Sequence, residues 1–188
     1  MRNELSYYPE ILDFIKNNLR SNFVAADKEH IKIYWGRGEL KTNLKRIISE
    51  NPSLPSCIVE YAHKLQPLDL DVFALITDGV SFEIVILEVK LMKSVGLKEW
   101  SQLIGYCLVS NARYGLLINI DNSCSSRLYD ILQFENQLSM IINVYNGNEH
   151  NHYLGFMQWN SVTHNFEYSN LGYLKSLSML SRCLISNF

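Results

Sequence analysis

No apolar run in this chain is long enough to cross a bilayer, and the N-terminal Met-Arg-Asn-Glu-Leu-Ser-Tyr-Tyr lacks the apolar segment of a signal peptide. Neither sign of charge dominates. The chain has 17 basic and 19 acidic side chains for a formal net charge of -2, which argues against indiscriminate electrostatic binding to nucleic acid but leaves room for a local basic patch. Cysteine is scarce and scattered. Cys57, Cys107, Cys124 and Cys183 have neither the paired spacing of a zinc site nor the density of a disulfide scaffold, so reduced thiols in a cytoplasmic protein are expected. The chain is rich in core-forming residues, 47% hydrophobic and 12% aromatic over 188 positions, enough for one domain with a substantial core.

The most informative stretch runs from Leu68 to Lys90. Leu-Asp-Leu-Asp-Val-Phe-Ala-Leu-Ile, then Thr-Asp-Gly-Val-Ser, then Phe-Glu-Ile-Val-Ile-Leu-Glu-Val-Lys predicts strand, turn, strand. With the turn centred near Gly79 and Val80, residues whose numbers add to roughly 158 or 159 face each other across the hairpin. Asp71 then falls beside Leu87 and Glu88, while Glu88 and Lys90 share a face and Val89 takes the other. Two carboxylates at the mouth of an apolar hairpin repel each other, so one pKa must rise or a cation must lie between them. A hard divalent ion with oxygen ligands suits such a pair, and Lys90 lies beside it to touch a water or an anion held by the metal.

The rest of the chain predicts helices and strands around this hairpin. Pro9 to Arg20 has helical periodicity and carries Glu10 in its first turn. Ile31 to Trp35 predicts a short strand, Gly36-Arg37-Gly38 a turn followed by Glu39, and Leu40 to Ser49 a second helix. Arg37, Lys41, Lys45 and Arg46 form the densest basic patch, suited either to a phosphate backbone or to a solvated helix face. Cys57 to Leu65 alternates as a third strand, making a meander over 57 to 90. Leu97 to Ser110 predicts a helix with Gln102 and Tyr106 four apart on one face, and Lys93 and Lys98 flank its start. Tyr114 to Ile120 predicts a strand that returns parallel to the one bearing Glu88. Further strands are expected at Arg127 to Phe134, Ser139 to Tyr145 and Tyr153 to Trp159. A polar surface loop is expected at Asn146 to His152, with metal binding by His150 and His152 as the alternative, and a closing helix at Leu171 to Leu184.

Asp71, a turn and then Glu88-Val89-Lys90 resemble the PD-(D/E)XK nuclease superfamily, which includes restriction endonucleases, Holliday-junction resolvases and RecB-like exonucleases. Gln102-Leu103-Ile104-Gly105-Tyr106 is similar to the Gln-x-x-x-Tyr signature of its RecB-like and Cas4-like branch. The resemblance spans roughly Cys57 to Ile120. It implies an α/β fold with a restriction-endonuclease-like mixed central sheet flanked by helices. It also implies Mg²⁺ or Mn²⁺ held by Asp71, Glu88 and the Val89 carbonyl, with hydrolysis assisted by Lys90. Gln102 and Tyr106 would then line the DNA-facing side. Asp69 is a rival ligand, because Pro67 lies upstream of it and Leu70 directly precedes Asp71. A glutamate from the first helix often completes such sites, which makes Glu10 and Glu39 candidates. The expected activity is metal-dependent cleavage of DNA, with RNA as an alternative substrate and a homodimer by analogy with small nucleases that cut two strands. The competing expectation is a binding or assembly module that retains the fold without cleavage.

Overall fold

The computed structural model describes residues 3–134, 138–145, 148–167 and 171–188. A seven-stranded sheet forms the centre, built from β1 (Lys32–Glu39), β2 (Asp69–Thr77), β3 (Phe82–Lys90), β4 (Tyr114–Ile120), β5 (Met140–Tyr145), β6 (Asn148–Asn160) and β7 (Asn165–Glu167). Their order is β1-β2-β3-β4-β6-β5, with β7 on the far end of β6. β3, β4 and β6 run parallel to their neighbours in that series, while β1-β2, β2-β3, β5-β6 and β6-β7 are antiparallel, so the sheet is mixed.

Helices cover both faces, as expected for a sheet whose central strands are apolar on either side. On one face lie α1 (Tyr8–Ala25) and α6 (Leu177–Asn187). The spacing of Ile11, Ile15, Leu19 and Phe23 buries one stripe of α1 against Val72, Leu87, Val89 and Ile118. The opposite face carries α2 (Leu40–Glu50), α3 (Ser56–Lys64), α4 (Leu97–Ser110) and α5 (Ser126–Phe134), which cover Phe73, Ile86, Leu117 and Phe156. α4 opens with the Glu99 carboxylate accepting the Gly96 N–H at 2.8 Å and closes at Asn111, whose φ of 53° ends the helix in the left-handed region. No described helix is long and apolar enough to cross a membrane.

Several expectations are corrected. Residues 57 to 64 lie in helix α3 and Leu65 follows it in extended conformation, because Ile58, Ala62 and Leu65 recur at spacings of four and three and sink into the core, and Pro55 stands at the N-cap position. The third strand of the meander is β1, which runs through Gly36-Arg37-Gly38 where a turn was expected. An added Cβ at Gly36 would overlap the Phe73 ring, so the strand survives its glycines by packing against that ring. Residues 127 to 134 are helical, with Leu128 and Leu132 four apart and buried and with Ser125 Oγ accepting the Leu128 N–H. The closing helix starts at Leu177, later than expected, although Leu174 is also buried. The polar loop expected at 146 to 152 is strand from Asn148 onward, while Asn146 and Gly147 lie outside the described residues.

Candidate functional site

The hairpin register puts Val72 opposite Leu87, so Asp71 falls beside Glu88 one step further on. β1 sharpens this placement. Its pairing jumps from Gly36↔Phe73 to Gly38↔Leu70, leaving the single residue Arg37 across from both Asp71 and Val72. A bulge of this kind turns one side chain off the strict alternation. Here Val72 enters the core under α1, and Asp71 stands at the sheet end in a shallow pocket of about 400 Å³ with Leu5, Tyr8 and Arg37.

Past the last β2–β3 pair, the outward backbone N–H groups of β3 meet carboxylates in place of a neighbouring strand. Val89 N–H donates to Asp71 Oδ2 at 3.2 Å, and Leu91 N–H donates to Glu4 Oε2 at 3.2 Å. In a strand the carbonyl of a residue leaves on the same side as its N–H, so the Val89 carbonyl is directed toward Asp71. Lys90 Nζ lies 3.1 Å from Asp71 Oδ2 and 2.6 Å from Glu88 Oε1, joining the two acidic groups.

Glu88 is the unusual member. Its side chain is fully buried, and neither oxygen accepts a well-aligned hydrogen bond among the described residues. The Lys90 contact is short but lacks hydrogen-bond geometry, so it acts as an ion pair to Oε1 and leaves Oε2 without a partner. Burial raises the Glu88 pKa to about 7, with the charges of Asp71 and Glu4 adding to the rise and Lys90 opposing it. Burial works to lower the Lys90 pKa, but its contacts with Glu88 and Asp71 outweigh that and leave it raised.

Glu4 and Tyr8 carry no periodic signal, and sequence reasoning passed over both. Glu4 lies in a short 3₁₀ turn ahead of α1 (Glu4–Tyr7), and its Oε1 accepts the Tyr8 hydroxyl at 2.8 Å. The i,i+4 spacing of Glu4 and Tyr8 was the one local cue. Burial raises the Tyr8 pKa, helped by Asp71 and Glu4, and its ring carries the Arg37 guanidinium 4.7 Å from the centroid.

The other acidic candidates are occupied elsewhere. Glu10 Oε1 accepts the Trp159 indole N–H at 3.2 Å, and its Oε2 lies 3.3 Å from His164 Nδ1, toward β6. Glu39 caps α2, accepting the backbone N–H groups of Lys41 at 3.0 Å and Thr42 at 2.7 Å. Hydrogen bonding to Thr42 leads the causes that lower its pKa. Glu39→Ala is therefore expected to lower stability by about 1 kcal/mol in urea unfolding without changing divalent-ion binding. A loss of ion binding would restore Glu39 to the site. Asp69 is exposed and faces Glu39 across the β1–β2 ladder.

Gln102 Nε2 donates to Tyr106 Oη at 2.6 Å, so the pair first engages itself along α4. Of the basic residues, Lys41 donates to the Leu65 carbonyl at 2.8 Å near the end of α3, and Arg46 pairs with Glu50 at 2.8 Å. Arg37, Lys45, Lys93 and Lys98 are exposed. The expected patch on α2 is thus thinner than the sequence implied, and Arg37 is the cation that lines the Asp71 pocket.

Among the described residues, no three His, Cys, Asp or Glu side chains are gathered as a metal cage. The donors that do converge are the carboxylates of Asp71 and Glu88, with Glu4 close enough to raise the Glu88 pKa. Hard oxygen donors of this kind, one of them buried with an unfilled acceptor, match the preference of Mg²⁺ and Mn²⁺ over softer ions. No protein-family model, curated protein or solved structure matches this chain.

Proposed function

We propose that this chain is a Mg²⁺-dependent deoxyribonuclease that hydrolyses phosphodiester bonds at Asp71, Glu88 and Lys90, with Mn²⁺ able to serve as the ion. The observation that carries this reading is Glu88, a fully buried carboxylate whose Oε2 has no partner among the described residues. A buried anionic oxygen is costly unless a proton or a cation answers it. A PD-(D/E)XK-like assignment agrees with the mixed sheet flanked by helices, which is consistent with a restriction-endonuclease-like fold but not specific to it.

Asp71 and Glu88 would hold the ion, joined by the Val89 carbonyl and by Glu4. When bound, a hard divalent ion polarises the phosphodiester and lowers the pKa of a coordinated water. Lys90 is kept protonated by its acidic neighbours, so it stabilises developing negative charge on the phosphate and does not act as a base. Tyr8 fixes Glu4, and Arg37 supplies a cation on the pocket side of Asp71. Lys45, Lys93 and Lys98 are exposed for contacts to the nucleic-acid backbone, and Gln102 and Tyr106 would face the substrate from α4. A dimer that cuts both strands is supported by edge strand β5, which exposes Met140, Ile142 and Val144.

The second reading, a module that binds nucleic acid without cutting it, is favoured by Lys90, whose ammonium group already stands between the two carboxylates. Incubation with linear, circular and branched DNA, and with RNA, in the presence of Mg²⁺ or of a chelator separates the two. The nuclease reading requires cleavage of DNA that chelation abolishes. Ion-dependent protection of DNA without hydrolysis would establish the binding module, and cleavage of RNA alone would reassign the substrate.

A further inference from the structure

A second polar cavity, of about 190 Å³, lies at the opposite end of the sheet from Lys90. Its shape follows from strand lengths. Tyr114, the first residue of β4, pairs with Val85 on one side and Tyr153 on the other. β3 begins at Phe82 and β6 at Asn148, so both neighbours extend past the start of β4 and leave a notch between them. Strands two positions apart in a sheet stand roughly 9.5 Å from each other, which is room for an ion with its ligands. The chain from Asn111 to Arg113 enters β4 across the floor of this notch.

His150 and His152 both line the notch, and their two-residue spacing on β6 puts both rings on one face of the sheet. His152 is 1% exposed. Its Nδ1 lies 2.8 Å from the Ala112 carbonyl oxygen, which can only accept, so Nδ1 carries the hydrogen and the lone pair of the neutral ring sits on Nε2. That Nε2 is buried and has no hydrogen-bond partner among the described residues. A ring nitrogen donating to a backbone carbonyl while the other is left bare is the arrangement that orients histidines toward metal ions. His150 is held only loosely, its Nδ1 being 3.5 Å from Asn111 Nδ2 at the outer limit of a hydrogen bond. The nearby Arg113 guanidinium is paired with Glu83 at 3.1 Å, which offsets its charge.

We infer that His150 and His152 form a site for a borderline divalent transition ion, of which Zn²⁺ is the natural probe. Imidazole nitrogens select such an ion over the Mg²⁺ suited to the carboxylates at the other end of the sheet. The chain provides two nitrogens, with water completing the coordination, in keeping with the lack of any three-residue cage among the described residues.

The test is Zn²⁺ titration of the full chain in competition with a chromophoric chelator. The expected result is one Zn²⁺ per chain, with affinity unchanged in an Asp71→Asn/Glu88→Gln double variant. His150→Ala is expected to weaken binding by at least about tenfold, and His152→Gln to abolish it. His150 is only half-buried, so its variant keeps the test informative if the His152 variant does not fold. Failure of the folded wild-type chain to bind Zn²⁺ would overturn the inference. So would unchanged affinity in His150→Ala, or loss of the ion in the carboxylate double variant alone. None of these outcomes bears on DNA cleavage.

Discussion

Lys90→Met is expected to slow Mg²⁺-dependent DNA cleavage by about 10²–10³-fold while leaving the Mg²⁺ concentration for half-maximal activity unchanged or lower. The split follows from the two things Lys90 does. Its ammonium lies 3.1 Å from Asp71 and 2.6 Å from Glu88, so it competes with a metal for the same charge. During hydrolysis it stabilises the charge that builds up on the phosphate. Removing it therefore lowers the turnover rate but clears the ion's place. Asp71→Asn behaves differently. It removes a ligand, so ion affinity and cleavage fall together. Cleavage assays across a Mg²⁺ series for the two variants distinguish these patterns. Equal loss of ion affinity in both would mean that Lys90 merely holds the hairpin mouth together, and undiminished cleavage in either would remove the residue from the mechanism.

The second large effect concerns Glu88 and pH. Its folded pKa of about 7 stands above the ordinary 4.5, so across that window the folded chain holds a proton that the unfolded chain has released. Stability consequently falls as pH rises from about 4.5 to about 7, by on the order of 3 kcal/mol once the group is fully ionised. Glu88→Gln cannot ionise. It should match the wild type near pH 5 and be the more stable protein at pH 8, where Mg²⁺ stabilises the wild type but not the variant. Urea unfolding of both proteins at the two pH values, with and without Mg²⁺, measures this directly. Parallel pH dependence in the two proteins would show that Glu88 is not strained by its burial. The same proton must leave before an ion binds, so cleavage should rise with pH through about 7.

The parts of the fold visible in the sequence were those where a single periodicity had no rival. The helix at Leu97–Ser110 and the strand at Tyr114–Ile120 stand as expected, each bounded by residues that end such elements. The hairpin register was legible because two alternating arms meet at a turn built on Asp78, whose Oδ1 accepts the Val80 and Ser81 N–H groups, and on Gly79 with φ of 92°. Residues 57–65 and 127–134 failed for the opposite reason. Short apolar stretches there satisfy spacings of two and of four, and only their burial against the sheet selects the helix.

The candidate site was legible to the same degree. Convergence of Asp71, Glu88 and Lys90 followed from register, since strand geometry fixes which residues meet. The part played by Arg37 and the outward turn of Asp71 depend on a bulge, a misfit between two strands distant in sequence that no local pattern announces. Glu4 arrives from a 3₁₀ turn too short for a periodic signal, whereas Glu10 and Glu39 had the better local credentials and are spent on Trp159 and a helix cap. His150 and His152 read in the sequence as part of a polar surface loop, because β6 runs longer than its apolar half and carries a polar segment into the sheet.

A crystal of this protein soaked in Mn²⁺ and measured for anomalous scattering tests the central claim most directly. The account predicts an ion within bonding distance of carboxylate oxygens from both Asp71 and Glu88, with the Lys90 ammonium moved off the line between them. Density for Lys90 still bridging the two carboxylates at saturating Mn²⁺, with no anomalous peak beside Glu88, would contradict it.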